Sequence, residues 1–90
     1  MNVIHSFALP SFWECYQALP PQIRDLADKQ FRLFRENPAH RSVGFARKGE
    51  LWTAEIGRSY RAIGRRHGEE IYWFWIGTHE AYNRLLTRWK

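Results

Sequence analysis

A histidine, a tyrosine and several arginines lie close together in the second half of the sequence, and their chemistry suits RNA cleavage. His79 and Tyr82 are three residues apart, and Arg58 and Arg61 have the same spacing. Cleaving RNA without a metal needs a base for a 2′-hydroxyl, an acid for the leaving oxygen, and cations for the charged phosphorane. Histidine titrates near neutral pH, and arginine binds phosphate through two parallel hydrogen bonds. These residue types therefore indicate a phosphate-handling site if the fold brings them together.

Their positions on a predicted sheet decide which of them meet. Between residues 52 and 65, apolar and polar side chains alternate in two runs that are separated by a turn at Gly57. A period of two indicates strands with one buried face, here the face of Trp52 and Tyr60. The opposite face then carries the remaining side chains, which include Thr53, Glu55, Arg61, Ile63 and Arg65. We expect nucleic acid to contact this surface through Arg47, Lys48 and Arg65, with Arg58 in the intervening turn.

The other elements follow from periodicity and from turn residues. The sequence predicts a strand at 3–7, helices at 11–19 and 21–36, strands at 42–47, 52–56, 60–65 and 71–76, and a last helix after Thr78. Ser11 and Glu14 fit a capping box for the first helix, and Thr78 is a predicted N-cap for the last. This order predicts an α+β fold, an antiparallel sheet of four to five strands with an N-terminal α-hairpin on one face and a short C-terminal helix. The opposite face of the sheet is expected to be free for a partner.

Each candidate site residue also has a structural interpretation. Arg61 would form a cross-strand ion pair with Glu55. Tyr82 begins the apolar stripe of the last helix and would be partly core, and His79 would only flank the start of that helix. The apolar run at 71–76 predicts a central strand covered on both faces, and Cys15 lies on an apolar helix face as a structural residue.

Composition limits the class of protein. Ninety residues with 44% hydrophobic side chains predict a single domain over 1–90 with a real core. One cysteine excludes a disulfide framework, and the histidines have no metal-ligand spacing, so we expect neither a metal nor another cofactor. There is no apolar run of membrane-helix length and no signal-peptide pattern, which predicts a cytoplasmic location. The net charge of +5 favours an anionic partner, although an arginine-rich solvated surface would give the same charge.

Four segments together resemble the RelE/ParE superfamily of bacterial toxins, in particular its ParE-like and HigB-like members. They are residues 19–21, 31–40, 56–64 and 73–82, and they include the pair Tyr60-Arg61 and a Gly-x-His-x-x-Tyr ending formed by Gly77, His79 and Tyr82. The resemblance covers nearly the whole chain in order. It implies the same α+β fold and the toxin half of a type II toxin–antitoxin pair.

The resemblance also assigns roles to individual residues. Arg61 matches the strand arginine that contacts the scissile phosphate in RelE-like nucleases. His79 falls where those nucleases place an arginine or histidine, and Tyr82 falls near their C-terminal tyrosine. Arg58 has no fixed counterpart. Thr53 and Glu55 stand where RelE has lysines, a departure that leaves Glu55 as a candidate general base and leaves the activity open.

Three functional hypotheses follow. The first is a ribosome-dependent, metal-independent mRNA endoribonuclease with Arg61 as phosphate clamp, His79 as general acid, Arg58 as second cation, Tyr82 as positioning group and Glu55 as base. The second is a ParE-type inhibitor of DNA gyrase without nuclease activity. The third is a nucleic-acid-binding module without toxicity. Either toxin hypothesis predicts an antitoxin partner, commonly acidic and encoded adjacently, and predicts no membrane association and no small-molecule cofactor.

Overall fold

The computed structural model describes residues 4–88, which form one five-stranded sheet with helices on both faces. The strands are β1 (His5–Ala8), β2 (Ala46–Lys48), β3 (Leu51–Ile56), β4 (Tyr60–His67) and β5 (Glu70–Thr78). The helices are α1 (Pro10–Gln17), α2 (Pro21–Glu36) and α3 (His79–Arg88), with a short 3-10 helix at Arg41–Val43. The α+β class, the α-hairpin and the C-terminal helix are confirmed. Among the described helices, none has the length and apolarity needed to cross a bilayer.

The strand order is β1-β5-β4-β3-β2. Strands β2 to β5 form an antiparallel meander, whereas β1 pairs with β5 in parallel. The sheet is therefore mixed rather than wholly antiparallel. A parallel pair needs a long crossover connection, and the α-hairpin with the following strands supplies it. The predicted strand at 42–47 is shorter than expected because Arg41–Val43 forms the 3-10 helix. Val3, which began the predicted first strand, lies outside the described residues.

The α-hairpin covers one face of the sheet and buries the larger core. Phe34 and Ala27 of α2 pack with Trp73 of β5, and all three are almost fully buried. Pro21 occupies the first turn of α2, where its missing N–H costs nothing. The predicted capping box of α1 is wrong, because Leu9 is the N-cap residue and no side chain caps the helix. Ser11 instead donates its hydroxyl hydrogen to the Phe74 carbonyl at 2.8 Å.

The second face of the sheet is not free, because α3 packs on it. Tyr82 of α3 contacts a small core with Leu51 and Ile63, and Phe74 and Trp75 pack against this cluster. An irregularity between Ile63 and Gly64 makes this possible. Ile63 pairs with Trp75 and Gly64 pairs with Trp73, which leaves Phe74 as an extra residue in β5. The apolar run thereby serves both cores, but Tyr72 lines an open depression on the α3 face, so the prediction of a strand covered on both faces is confirmed only in part.

Candidate active site

A cleft of about 370 Å³ opens between the first turns of α3 and strands β2 to β4. It gathers four of the five predicted catalytic residues, Glu55, Arg61, His79 and Tyr82, together with Lys48, which was predicted to contact nucleic acid. The remaining lining residues are Gly44, Ala46, Thr53, Asn83 and Leu86. One carboxylate, one imidazole, one phenol and two cations therefore share a single open cleft.

Arg61 is held in the cleft by its own strand and turn. Its Nη1 donates to the Tyr60 carbonyl at 2.9 Å and to the Gly57 carbonyl at 3.4 Å. Both hydrogen bonds use Nη1. Nε and Nη2 donate to no group among residues 4–88, so their hydrogens can bind a ligand. Glu55 is its cross-strand neighbour, yet no ion pair joins the two side chains among residues 4–88. The predicted Glu55–Arg61 ion pair is thus not formed.

Glu55 is exposed, and Gly44 makes room for its carboxylate. Gly44 has a φ of +57°, in the left-handed region, and follows the 3-10 helix. A Cβ placed on Gly44 would lie 2.6 Å from Glu55 Oε2. The left-handed backbone therefore favours glycine at this position, and a larger residue would also push the exposed Glu55 carboxylate aside.

His79 and Tyr82 enter the cleft because α3 begins directly at the end of β5. Thr78 caps the helix as predicted, since its Oγ1 accepts from the Ala81 N–H at 3.2 Å. The backbone N–H of His79 donates to the Ser59 carbonyl at 2.7 Å and ties the helix start to the β3–β4 turn. The His79 and Tyr82 rings stack with centroids 5.9 Å apart and 20° between planes. Tyr82 is only 6% exposed and belongs to the small core, so it both lines the cleft and anchors α3 to the sheet.

The structure leaves three of the predicted basic residues outside the cleft. Arg58 is exposed in the turn between β3 and β4 and does not line the cleft. Arg47 is opposite Trp52 in the β2–β3 register, on the face of the α-hairpin, and its Nε donates to the Gly49 carbonyl at 2.8 Å. Arg65 shares the face of Arg61 but lines a separate depression with Phe74.

Sequence reasoning missed Asn83, which lines the cleft one helical turn after His79. The spacing of four residues places both side chains on one face of α3, and this periodicity was the available signal. Within residues 4–88, no group of three or more His, Cys, Asp or Glu side chains is arranged to hold a metal ion.

Two tyrosines outside the cleft have raised pKa values. The Tyr16 hydroxyl donates to Asp28 Oδ1 at 2.8 Å, and this bond is the main cause that raises the pKa of Tyr16 above its ordinary value of 10.0. The hydrogen bond from Tyr72 to Glu70 Oε1, also 2.8 Å, raises the pKa of Tyr72 in the same way.

The fold is that of the RelE-like toxins. The archaeal RelE–RelB complex from Pyrococcus horikoshii OT3 has a TM-score of 0.63 at 16% identity, over 84% of this chain and 94% of that chain. The RelB–RelE antitoxin–toxin complex from Methanococcus jannaschii gives 0.70 at 10% identity, over 88% and 96%. The isolated E. coli RelE toxin gives 0.60 at 12% identity, over 97% and 99%.

A family model described as the ParE-like toxin domain matches residues 21–84. Because this match spans most of the chain, the protein belongs to the ParE-like toxin domain family, within the RelE/ParE superfamily. The resemblance noted in the sequence is thereby confirmed. Comparison with individual curated proteins finds no significant match.

Proposed function

We propose that the protein is the toxin of a type II toxin–antitoxin system and that the cleft beside α3 cleaves RNA without a metal. The observation that supports this most is the convergence of Glu55, Arg61, His79 and Tyr82 on one cleft from three different elements. Lys48, which lines the cleft, is the second cation of this proposal in place of Arg58, which does not line it. The five side chains supply the base, the acid and the positive charge that cleavage by a 2′-hydroxyl requires.

In the proposed step, the 2′-oxygen of RNA attacks the adjacent phosphorus while the bond from phosphorus to the 5′-oxygen breaks. Glu55 accepts the proton of the 2′-hydroxyl, and protonated His79 donates a proton to the leaving 5′-oxygen. Arg61 and Lys48 stabilise the charge of the phosphorane, and Tyr82 positions the substrate beside the imidazole with which it stacks. The products are a 2′,3′-cyclic phosphate and a 5′-hydroxyl, so atoms and charge balance without a co-reactant.

We propose mRNA on the ribosome as the substrate and an acidic antitoxin as the protein partner. The second half of the chain, residues 46–90, holds nine Lys and Arg against five Asp and Glu, a net charge of +4. Such a charge favours docking on ribosomal RNA, with an affinity that falls as salt rises. It equally favours an acidic protein partner, and two of the similar structures are complexes of a RelE toxin with a RelB antitoxin.

Inhibition of DNA gyrase is the alternative, and the ParE-like family match is the observation that favours it. In that case the cleft would not cleave RNA, and the protein would act only by binding gyrase. His79 would then be dispensable for toxicity, whereas the nuclease proposal makes it essential.

In vitro translation with mapping of mRNA ends separates the two hypotheses. With the wild-type protein we expect mRNA cut on ribosomes, and with His79→Ala we expect intact mRNA. Intact mRNA in both reactions, together with cleaved DNA in a supercoiling assay with gyrase, would replace the nuclease by the gyrase inhibitor. Tolerated overexpression of the wild-type protein without an antitoxin would instead favour a binding module without toxicity.

A further inference from the structure

A row of side chains crosses three strands on the sheet face that also carries the cleft. Phe7 of β1 is in register with Tyr72 of β5, and Tyr72 is in register with Arg65 of β4. The Phe7 and Tyr72 rings stack with centroids 5.1 Å apart and only 16° between planes. Phe7 is 44% exposed, although burial of such a ring would be favourable. We call this set the Phe7–Tyr72–Arg65 row.

The depression beside the row holds one cation, Arg65, and one carboxylate, Glu70. Arg65 is exposed and lies over the Phe74 ring at 5.7 Å, and the His67 ring contacts Tyr72 with centroids 5.9 Å apart. The carboxylate of Glu70 is the acidic group of this depression, and it accepts a hydrogen bond from the Tyr72 hydroxyl. A depression of about 530 Å³ lies along these residues and Leu9.

Strand β4 connects the row to the cleft. Arg61, Ile63 and Arg65 alternate along one face of β4, with Arg61 in the cleft and Ile63 beneath Tyr82. At about 3.3 Å per residue, Arg61 and Arg65 lie about 13 Å apart along the strand. Helix α3 packs over Ile63 between the two, so a flexible strand of nucleic acid that reaches both the cleft and the row has to pass around or over α3.

We propose that the Phe7–Tyr72–Arg65 row is a second contact for single-stranded RNA, where a base stacks on the aromatic rings and its phosphate binds Arg65. Aromatic rings beside cations are the usual means of binding single strands, because every base has a stacking face and every nucleotide a phosphate. An acidic protein segment would pair with Arg65 but would gain less from two stacked flat rings. The inference rests on the proposed function for its choice of RNA as ligand.

Fluorescence anisotropy with a short labelled single-stranded RNA tests this proposal. His79→Ala serves as the background, so that RNA binding is measured without cleavage. Adding Phe7→Ala is expected to weaken binding about tenfold, the effect of losing one stacked base. Trp13→Ala is the matched control, because Trp13 is 47% exposed but lies in α1, away from the row. It should leave the affinity unchanged.

Arg65→Ala in the same background gives a readout that a folding defect would not imitate. It should lower the slope of log affinity against log salt by about one, as expected for one lost phosphate contact. Equal RNA affinity in all variants would overturn the proposal. So would unchanged RNA affinity with lost binding of the antitoxin, which would make the row a protein-docking surface. RNA binding is measured here without cleavage, so the two proposals can fail separately. If the wild type cuts no RNA but binding still depends on Phe7 and Arg65, the nuclease proposal is wrong and the RNA contact at the row is supported.

Discussion

At the scale of single residues, the cleft depends on how Arg61 is anchored. Two backbone carbonyls hold its Nη1, so the side chain has lost much of its freedom before any ligand binds. A cation fixed in advance stabilises a developing charge better than a mobile one, because no reorganisation is needed at the moment of reaction. Lys48 is exposed and makes no such hydrogen bond to the described residues 4–88, which makes Arg61 the stronger candidate for the phosphate clamp.

Replacing Arg61 by lysine should therefore reduce RNA cleavage although the charge is kept. Lysine is a point charge and cannot hold both the carbonyls and a phosphate with a planar fork. We expect the single-turnover rate to fall about 100-fold, the usual effect of losing one oxyanion donor. Arg58→Lys is the matched control, since Arg58 lies in the exposed turn outside the cleft. Equal losses for both variants would contradict the assignment.

Gly44 offers a test of Glu55 that leaves the carboxylate in place. Gly44→Ala puts a Cβ 2.6 Å from Glu55 Oε2 and must displace it, and it also strains the left-handed backbone by about 1 kcal/mol. Gly49→Ala carries the same backbone strain at a φ of +64°, but its Cβ would meet nothing within 4 Å. Urea unfolding should show similar losses of stability for both variants. Cleavage should fall for Gly44→Ala alone, and equal activities would show that cleavage does not need this position of the Glu55 carboxylate.

At the scale of elements, the junction of β5 and α3 sets the position of the imidazole. The helix starts at His79, immediately after the strand, and the Thr78 hydroxyl satisfies one of its free N–H groups. An error of one residue in this junction would rotate His79 away from the cleft, because successive helical side chains differ by about 100° in direction. The Thr78 N-cap therefore fixes the position of the His79 imidazole as well as stabilising α3.

Thr78→Ala should cost about 1 kcal/mol in the free energy of unfolding, as for other N-cap threonines. Thr87→Ala in the same helix is the control, because its hydroxyl only donates to the Asn83 carbonyl within α3 and alanine has the better helix propensity. Chemical denaturation measures both. A loss for Thr87→Ala as large as that for Thr78→Ala would show that the cap contributes nothing special.

The contact between α1 and α2 gives the protein a dependence on alkaline pH. Tyr16 of α1 donates to Asp28 of α2, which raises the pKa of Tyr16 in the folded state. A raised folded pKa means that the contribution is complete below the unfolded value near 10 and is lost as pH rises through the folded pKa. Wild type should thus lose more stability above about pH 10 than Tyr16→Phe does. Parallel unfolding curves for the two proteins across this range would contradict the role of this bond.

The helices and strands could be predicted from local sequence patterns. Contacts between residues far apart in the sequence could not. The alternation around Trp52 and Tyr60 identified β3 and β4, and the prolines at 20 and 21 identified the hairpin turn. The placement of α3 over the sheet depends on the extra residue Phe74 in β5, a register detail that no local period contains. Ser11 had the spacing of a capping box, but the Phe74 carbonyl, 63 residues away, binds its hydroxyl instead.

At the scale of the whole molecule, α3 covers only part of its sheet face, and the cleft and the depression beside the Phe7–Tyr72–Arg65 row lie open there. The sequence predicted from alternation and family resemblance together that Glu55, Arg61, His79 and Tyr82 share one site, but not that Asn83 joins them. Arg47 and Arg58 were expected at the site, but Arg47 lies on the face of the α-hairpin and Arg58 lies outside the cleft. Charge alone does not determine on which face of a sheet, or on which side of a turn, a side chain lies. A positive chain with both openings on one face suits a ligand that is long, anionic and single-stranded.

The chemistry of the cut RNA ends tests this account most directly. Cleavage of mRNA is followed in a translation extract, with His79→Ala beside His5→Ala, a histidine on the edge strand β1. The account predicts 5′-hydroxyl and 2′,3′-cyclic phosphate ends, a rate at least about 100-fold lower for His79→Ala, and full activity for His5→Ala. Fragments with 5′-phosphate ends, or undiminished cleavage by His79→Ala, would contradict it.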